Sequence, residues 1–424
     1  MKRRQFIQAA AAGSLLASAV GCATTASSAK ARVVVIGGGF GGATTAKYIR
    51  LWSKGSIAVT LVEPNTSFIS CPISNLVLGG SKQIADVTLS YDNLARRHGV
   101  KVVRDVAVGI DAETRTVRLG SGRILPYDRL VLSPGIDFMW DQLPGMAQTA
   151  AQNKVLHAWK AGAQTVALRK QLEALPDGGT YVMSIPQAPY RCPPGPYERA
   201  SQVAHYFSKF KPKSKVLILD GNDDVTSKGA LFKKAWADRY AGIIEYRPKF
   251  IAVDVDAATN TVISDFGDKV SGGVLNVIPP QRAGSIAVAA GLANMNKRWC
   301  EVDFLSFEST QAKNIHVLGD AIQIAPNMPK SGHMANQHAK VCAAAVVDLL
   351  NGKAPDLNPL ITNTCYSFVS DTDVIHVASV HAYQAEQKTF IPVPGSGGVS
   401  SAASALEGVY AMNWAQTIWA DTLA

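Results

Sequence analysis

The chain has 424 residues, and 42 Lys and Arg against 32 Asp and Glu leave a net charge of +10. That length allows two or three domains with large cores. The basic excess is modest, and no Lys/Arg-rich block carries interleaved aromatics, so a nucleic-acid-binding chain is not expected. A positive surface of this kind favours an acidic partner or an anionic substrate.

The first 29 residues read as a signal peptide: a basic start, an apolar run over residues 9–23 and small residues before Lys30. The pair Arg3-Arg4 followed by Gln-Phe-Ile matches the twin-arginine type. That route exports folded proteins to the periplasm, which suits a chain whose cofactor is inserted first. An ordinary secretory signal is the alternative. The apolar run is short for a membrane span, and no later segment reads as one, so no integral membrane anchor is expected. Cys22 leaves with the signal. Cys71, Cys192, Cys300, Cys342 and Cys365 remain. An odd number in an exported protein implies a cysteine that is free or bonded to something other than sulfur.

Residues 32–36 form a β-branched apolar run, the pattern of a buried parallel strand. Gly37, Gly39 and Gly42 follow in GxGxxG spacing, and a helix pattern starts directly after them. Gly37 allows the tight turn, Gly39 lets the backbone approach a pyrophosphate, and Gly42 lets helix pack on strand. A second strand over 58–62 ends at Glu63, placed to bond an adenosine ribose. FAD and NAD share this fingerprint. Two later segments favour FAD, since residues 125–135 and 314–320 resemble the corresponding segments of two-dinucleotide flavoproteins. The second of these delivers Asp320 to a ribityl chain. A helix over about 331–350 points its positive end at the flavin, with Lys330 just before it as a candidate cofactor-binding residue.

The middle of the chain carries Cys192 in the run Tyr-Arg-Cys-Pro-Pro-Gly-Pro-Tyr-Glu-Arg at 190–199. A helix pattern starts at Tyr197, and its N-terminus is expected to favour thiolate over thiol. A buried structural cysteine is the other reading. Glu198 is either a base for this thiol or a first-turn acid that complements the helix dipole. The strand over 215–220 runs into Asp223 and Asp224 without a second GxGxxG, so the central domain is expected to keep the fold without binding nicotinamide. Cys300 and Cys342 read as core residues. No C-x-x-C-H haem attachment motif occurs. Tyr410, Trp414 and Trp419 form an aromatic C-terminus that either lines an interface or packs on the core.

These segments together resemble the flavoprotein subunit of flavocytochrome c sulfide dehydrogenase, from about residue 32 to the C-terminus. The resemblance rests on GGGFGGATTAKYIR at 37–50, VEPNTSF at 62–68, HAWKAG at 157–162 and CPPGPYERASQVA at 192–204. IPPQRAG at 278–284, GDA at 319–321 and NTCYS at 363–367 add to it. It implies a glutathione-reductase-like α/β fold: two Rossmann-like dinucleotide-binding-type domains and a C-terminal α+β interface domain. The FAD domain takes 30–155 and 275–355, the degenerate NAD-type domain 156–274 and the interface domain 356–424. It also implies that Cys71 carries FAD covalently through a thioether, and that Cys192 and Cys365 form a redox-active disulfide. Sulfide attacks that disulfide, and electrons pass through the flavin to a c-type cytochrome subunit in a heterodimer. A sulfide:quinone oxidoreductase, or an accessory flavoprotein serving a sulfur-carrier partner, are the competing expectations.

Overall fold

Val33, Val34, Val35 and Ile36 offer no polar face, so the strand they form must be covered on both sides. The computed structural model, which describes residues 30–424, places them in β1 (Ala31–Ile36) with all four buried. The expected signal segment, with Cys22, lies outside the described residues. The chain continues through α1 (Phe40–Trp52), β2 (Ile57–Val62), α2 (Asn75–Gly79), β3 (Lys101–Val103) and β4 (Arg129–Leu132). It then forms β5 (Thr180–Ile185), α3 (Gly195–Phe210), β6 (Lys215–Asp220), α4 (Gly229–Arg239), β7 (Ile244–Arg247) and β8 (Val274–Val277). Next come β9 (Val302–Asp303), β10 (Glu308–Ser309), β11 (Ile315–Val317) and α5 (Gly332–Leu350). The last part holds β12 (Leu360–Phe368), β13 (Val374–Gln384), β14 (Thr389–Pro392), β15 (Gly398–Val399) and α6 (Ala405–Leu423).

Two parallel arrays result. The first sheet runs β9-β10-β11-β4-β1-β2-β3, parallel from β11 to β3. The second runs β7-β6-β5-β8, parallel throughout. β12, β13 and β14 form an antiparallel sheet, with β15 paired to β13 and α6 packed on β13. The expected α/β class with an α+β C-terminal part holds. Residues 31–424 pack as one unit.

Register decides where a site can form. Ile36 lies opposite Val62 and Leu132, so β1, β2 and β4 end together. Ligands of open α/β sheets bind in the crevice beyond such carboxyl ends. Small residues bring the helices over this edge. A Cβ on Gly42 would lie 1.8 Å from Gly37 O, so only glycine lets α1 come this close. α5 packs along α1, with Ala335, Ala339, Cys342, Ala343 and Val346 buried.

α6 is fastened back onto α1 by polar contacts. Lys47 Nζ donates to Ala420 O at 3.0 Å and Asp421 O at 2.9 Å, near the C-terminus of α6. The Thr44 hydroxyl donates to Thr422 Oγ1, and Tyr48 donates to Asp421 at 2.5 Å. Lys47 is 8% exposed, so its ammonium replaces water for two orphan carbonyls. Lys47→Met leaves both carbonyls without that donor. We expect a loss of about 1–3 kcal/mol, read as a lower denaturant midpoint at unchanged slope.

Candidate active site

The glycine turn is built by exclusion. Gly37 has φ +95, and a Cβ there would meet Ser133 O at 2.3 Å. Gly39 differs: nothing lies within 4 Å of its Cβ position. Open space at the first turn of α1 suits an approaching phosphate. Glu63 Oε2 accepts from Gly38 N at 2.7 Å, and Oε1 accepts from Asn65 N and Nδ2. Tyr91 donates to Gly38 O at 3.0 Å. Glu63 therefore braces the turn, and a ribose would add to those bonds.

Asp320 sits on the 3-10 turn Gly319–Ala321 that follows β11. Its Oδ1 is buried without a partner. Burial pushes its carboxyl up, and Arg191 and Lys330 act against that. An orphaned buried acceptor beside an open glycine turn fits a dinucleotide with hydroxyl donors. FAD's ribityl chain supplies such donors.

Lys330 does not reach into free space. Its Nζ donates to Asp320 O at 2.9 Å and Ile322 O at 2.6 Å, and lies 3.6 Å from the Trp299 ring centroid. Its carbonyl accepts from Cys192 N at 2.7 Å. Lys330 thus couples the Asp320 turn to the Cys192 loop. Ser331 next to it N-caps α5 and donates to Asn363 Oδ1 on β12.

Cys192 has φ +59, a left-handed conformation that a side chain adopts at a cost. Gly195 N donates to Cys192 O at 2.8 Å, and α3 begins at Gly195. A Cβ on Gly195 would sit 2.9 Å from Cys192 Sγ and 2.8 Å from Trp159 Cη2. The thiol is therefore wedged beside an indole. This corrects the expected acidity of Cys192. Burial raises its thiol pKa well above the ordinary range, and Cys365 and Glu198 raise it further. Arg191 only partly opposes this. The helix-end effect is worth at most about 2 kcal/mol, which burial outweighs.

Cys365 lies on β12, opposite Val377. Cys192 and Cys365 are both free thiols here, and each is half-buried. They lie in one electrostatic field. Burial raises Cys365 as well, while Lys228 and hydrogen bonds from Asn363 and Ser331 lower it. Cys71 occupies the turn before α2, where Ser74 N and Oγ both donate to its carbonyl. Arg191 feels Cys71, Asp320 and Cys192 together. The structure thus gathers Cys71, Cys192, Cys365, Asp320, Glu198 and Lys330. Gly37, Gly39, Gly42 and Glu63 form the nucleotide turn.

Glu198 accepts from Phe368 N at 2.9 Å and from Asn75 Nδ2 at 2.8 Å, and burial raises its carboxyl pKa. It ties α3 to β12 and α2. Cys300 and Cys342 are fully buried, and burial pushes the Cys300 thiol up to about 12. Trp419 is buried and donates to Ser70 Oγ, beside Cys71. Trp414 packs on His333 and Tyr366, and only Tyr410 of the three aromatics is exposed. Arg191, Trp159 and Lys228 escaped the sequence reading. Arg191 and Trp159 lay in conspicuous runs, whereas Lys228 had no local signal.

Three family models match the chain. The pyridine nucleotide-disulphide oxidoreductase model covers residues 31–173. The central model of the sulfide dehydrogenase (flavocytochrome c) flavoprotein chain covers 165–279, and the flavin-binding model of flavocytochrome c sulphide dehydrogenase covers 357–423. The flavoprotein chain of sulfide dehydrogenase from Chlorobaculum thiosulfatiphilum is 67% identical over 38 residues, which are 9% of this chain and 77% of that sequence. Mitochondrial sulfide:quinone oxidoreductases from Dictyostelium discoideum and Mus musculus are 23% and 24% identical over 305 and 304 residues. Those matches take 69% of this chain and 64% of each relative's length. Among solved structures, the sulfide:quinone oxidoreductase of Aquifex aeolicus superposes with a TM-score of 0.74 at 18% identity. The match covers 92% of this chain and 91% of that one. The putidaredoxin reductase–putidaredoxin complex gives 0.65 at 18% identity, covering 92% and 93%.

Lys330 supplies a pH signature. Burial lowers its pKa to about 7 from 10.5. Between those values the unfolded chain binds more protons than the folded one, so stability contributed here rises with pH. The melting-temperature difference between the wild-type chain and Lys330→Met is expected to shift in favour of the wild type from pH 7 to 9.5. A difference that stays flat across that window contradicts the assignment.

Proposed function

The chain belongs to the family of flavocytochrome c sulfide dehydrogenase flavoprotein chains, and from this premise we propose that it oxidises sulfide and passes the electrons to a c-type cytochrome subunit. That it is a flavoprotein oxidoreductase of a sulfide-oxidising family stands on the family matches. The observation that carries the finer reading is that Cys192 has Cys365, Arg191 and Cys71 all within its electrostatic reach. Nothing in local sequence demands that three cysteines from separate segments gather in one place.

In this reading Cys192 and Cys365 form a disulfide in the oxidised protein. Hydrosulfide adds to one sulfur, the S–S bond breaks, and the other cysteine leaves as a thiolate carrying the electron pair. Bound FAD supplies the two-electron acceptor for that pair. Cys71 holds the cofactor through a thioether, Asp320 bonds its ribityl chain, and Glu63 with Gly37, Gly39 and Gly42 holds its adenosine diphosphate end. Arg191, which faces Cys192, draws the hydrosulfide anion toward that sulfur. Of its two alternatives Glu198 takes the first-turn acid rather than the base, since both its oxygens already accept hydrogen bonds that tie α3 to its neighbours. The parts 30–155 with 275–355, 156–274 and 356–424 serve as FAD domain, degenerate nucleotide domain and interface domain. A twin-arginine signal delivers the folded chain to the periplasm.

The relatives that match over 305 and 304 residues favour a second reading, sulfide:quinone oxidoreduction. Among the described residues no helix is long and apolar enough to cross a membrane. Steady-state turnover decides between the two. Sulfide-dependent reduction of cytochrome c far above that of a soluble quinone supports the cytochrome reading, and the reverse preference overturns it. Neither activity, despite flavin reduction by sulfide, points to the accessory role.

Two substitutions test the cysteines. Cys71→Ala is expected to release all its flavin on acid precipitation, while acid-stable flavin in that variant contradicts the thioether. Cys192→Ser and Cys365→Ser are each expected to cut sulfide-driven flavin bleaching by orders of magnitude. Bleaching at the wild-type rate rules out the disulfide.

A further inference from the structure

Lys228 is a buried cation in an unusual place. It precedes α4 in the left-handed region, with φ +57, and the residue is 8% exposed. Its Nζ donates to Cys365 O at 2.9 Å, Ser367 Oγ at 2.7 Å and, more weakly, Ile375 O at 3.4 Å. The Phe232 ring covers it at 5.7 Å. All three acceptors are neutral. An ammonium buried among neutral acceptors is costly, and burial lowers the pKa of Lys228 to about 8. The group that most favours its charged form is Cys365, followed by Glu198 from α3, Cys192 from the loop before it and Glu407 from α6. Glu407 already engages His376 and Ser400.

The two thiols are unequally served. Around Cys365 stand Lys228, the Asn363 amide at 3.5 Å from Sγ, and Ser331. Around Cys192 stand the Trp159 indole and Gly195, with Arg191 as the leading opposing cation, while Lys228 and Arg199 feel Cys192 less than they feel their first partners. In disulfide cleavage the sulfur that better bears negative charge leaves faster.

We propose that Lys228 is a positioning residue that supplies the counter-charge of a Cys365 thiolate, and so makes Cys365 the leaving sulfur when hydrosulfide attacks Cys192. This rests on the disulfide reading above. The step balances. Hydrosulfide and the Cys192–Cys365 disulfide give a Cys192 persulfide, which keeps the proton, and a Cys365 thiolate. One S–S bond forms and one breaks, and the total charge of −1 is conserved. The electron pair of the broken bond rests on Cys365 Sγ, beside the ammonium that lacked an anion. It then leaves for the acceptor named above.

Two measurements test this. The first follows alkylation of each cysteine in the reduced flavoprotein by iodoacetamide from pH 6 to 10, resolved by peptide mass spectrometry. Cys365 is expected to react at lower pH than Cys192. Lys228→Gln is expected to slow Cys365 about tenfold near neutral pH, equivalent to one pKa unit, and Lys228→Arg to restore it. The Cys192 profile should move little. A Cys365 profile unchanged in Lys228→Gln overturns the assignment. The second measurement needs no variant: the oxidised wild-type protein is given one equivalent of sulfide, quenched by alkylation and mapped. A persulfide on Cys192 supports the proposal, and one on Cys365 overturns it. Non-reducing maps of the untreated oxidised protein keep the two readings apart. Without a Cys192–Cys365 crosslink the disulfide reading fails and this proposal falls with it. With a crosslink and an unmoved Cys365 profile, Lys228 alone is ruled out.

Discussion

A hydrogen bond of 2.7 Å runs from the Cys192 amide to the Lys330 carbonyl, and much of the site's geometry follows from it. Cys192 is held in a left-handed conformation that costs on the order of 1 kcal/mol. The bond orients its amide, while Gly195 N takes its carbonyl. On the other side, the Lys330 ammonium takes the carbonyls of Asp320 and Ile322. Ser331 caps α5 and reaches Asn363 on the strand of Cys365. Two adjacent residues therefore register three segments: the Asp320 turn, the Cys192 loop and β12. Moving any one of them by an ångström would break a bond that also positions another.

The same junction explains why a helix end does not decide the state of Cys192. A helix N-terminus contributes at most about 2 kcal/mol toward an anion, and this one begins three residues after the thiol. Burial against Trp159 and the nearness of Cys365 and Glu198 act the other way. Local sequence shows the helix but not the indole that a distant loop brings. Charge in this pocket is set by tertiary neighbours.

That difference marks how far the residues could be read in advance. β1, the glycine turn and Glu63 are local features, spaced by backbone geometry, and the structure has them where the spacing puts them. The long helix after Lys330 and the buried Cys300 and Cys342 follow from periodicity and composition. The bonding of Lys330 is different. Its ammonium lies against Trp299 and two carbonyls, and nothing in its neighbourhood of the chain announces that. Lys228 is more extreme: one lysine among many, in a loop, buried only because β12 and β13 close over it. Bracing by Glu198 likewise needs Phe368 and Asn75, which come from elsewhere in the chain.

Arg199, Lys228 and Lys330 are all nearly buried, and all three donate only to neutral acceptors. Arg199 takes the carbonyls of His157 and Ala158 and the amides of Asn75 and Asn276. Glu198 and Asp320 are the nearby carboxyls, and burial raises the pKa of both, which weakens them as counter-ions. Cations held this way destabilise a state of the site that carries no added negative charge. In the proposed reading the Cys192–Cys365 disulfide carries none, whereas hydrosulfide attack leaves a thiolate. On that reading the buried cations cost most with the disulfide intact and least after hydrosulfide has arrived. In the proposed reading the difference between those two costs is free energy that favours reduction of the pair, stored in the packing of the chain rather than in the sulfur bond itself.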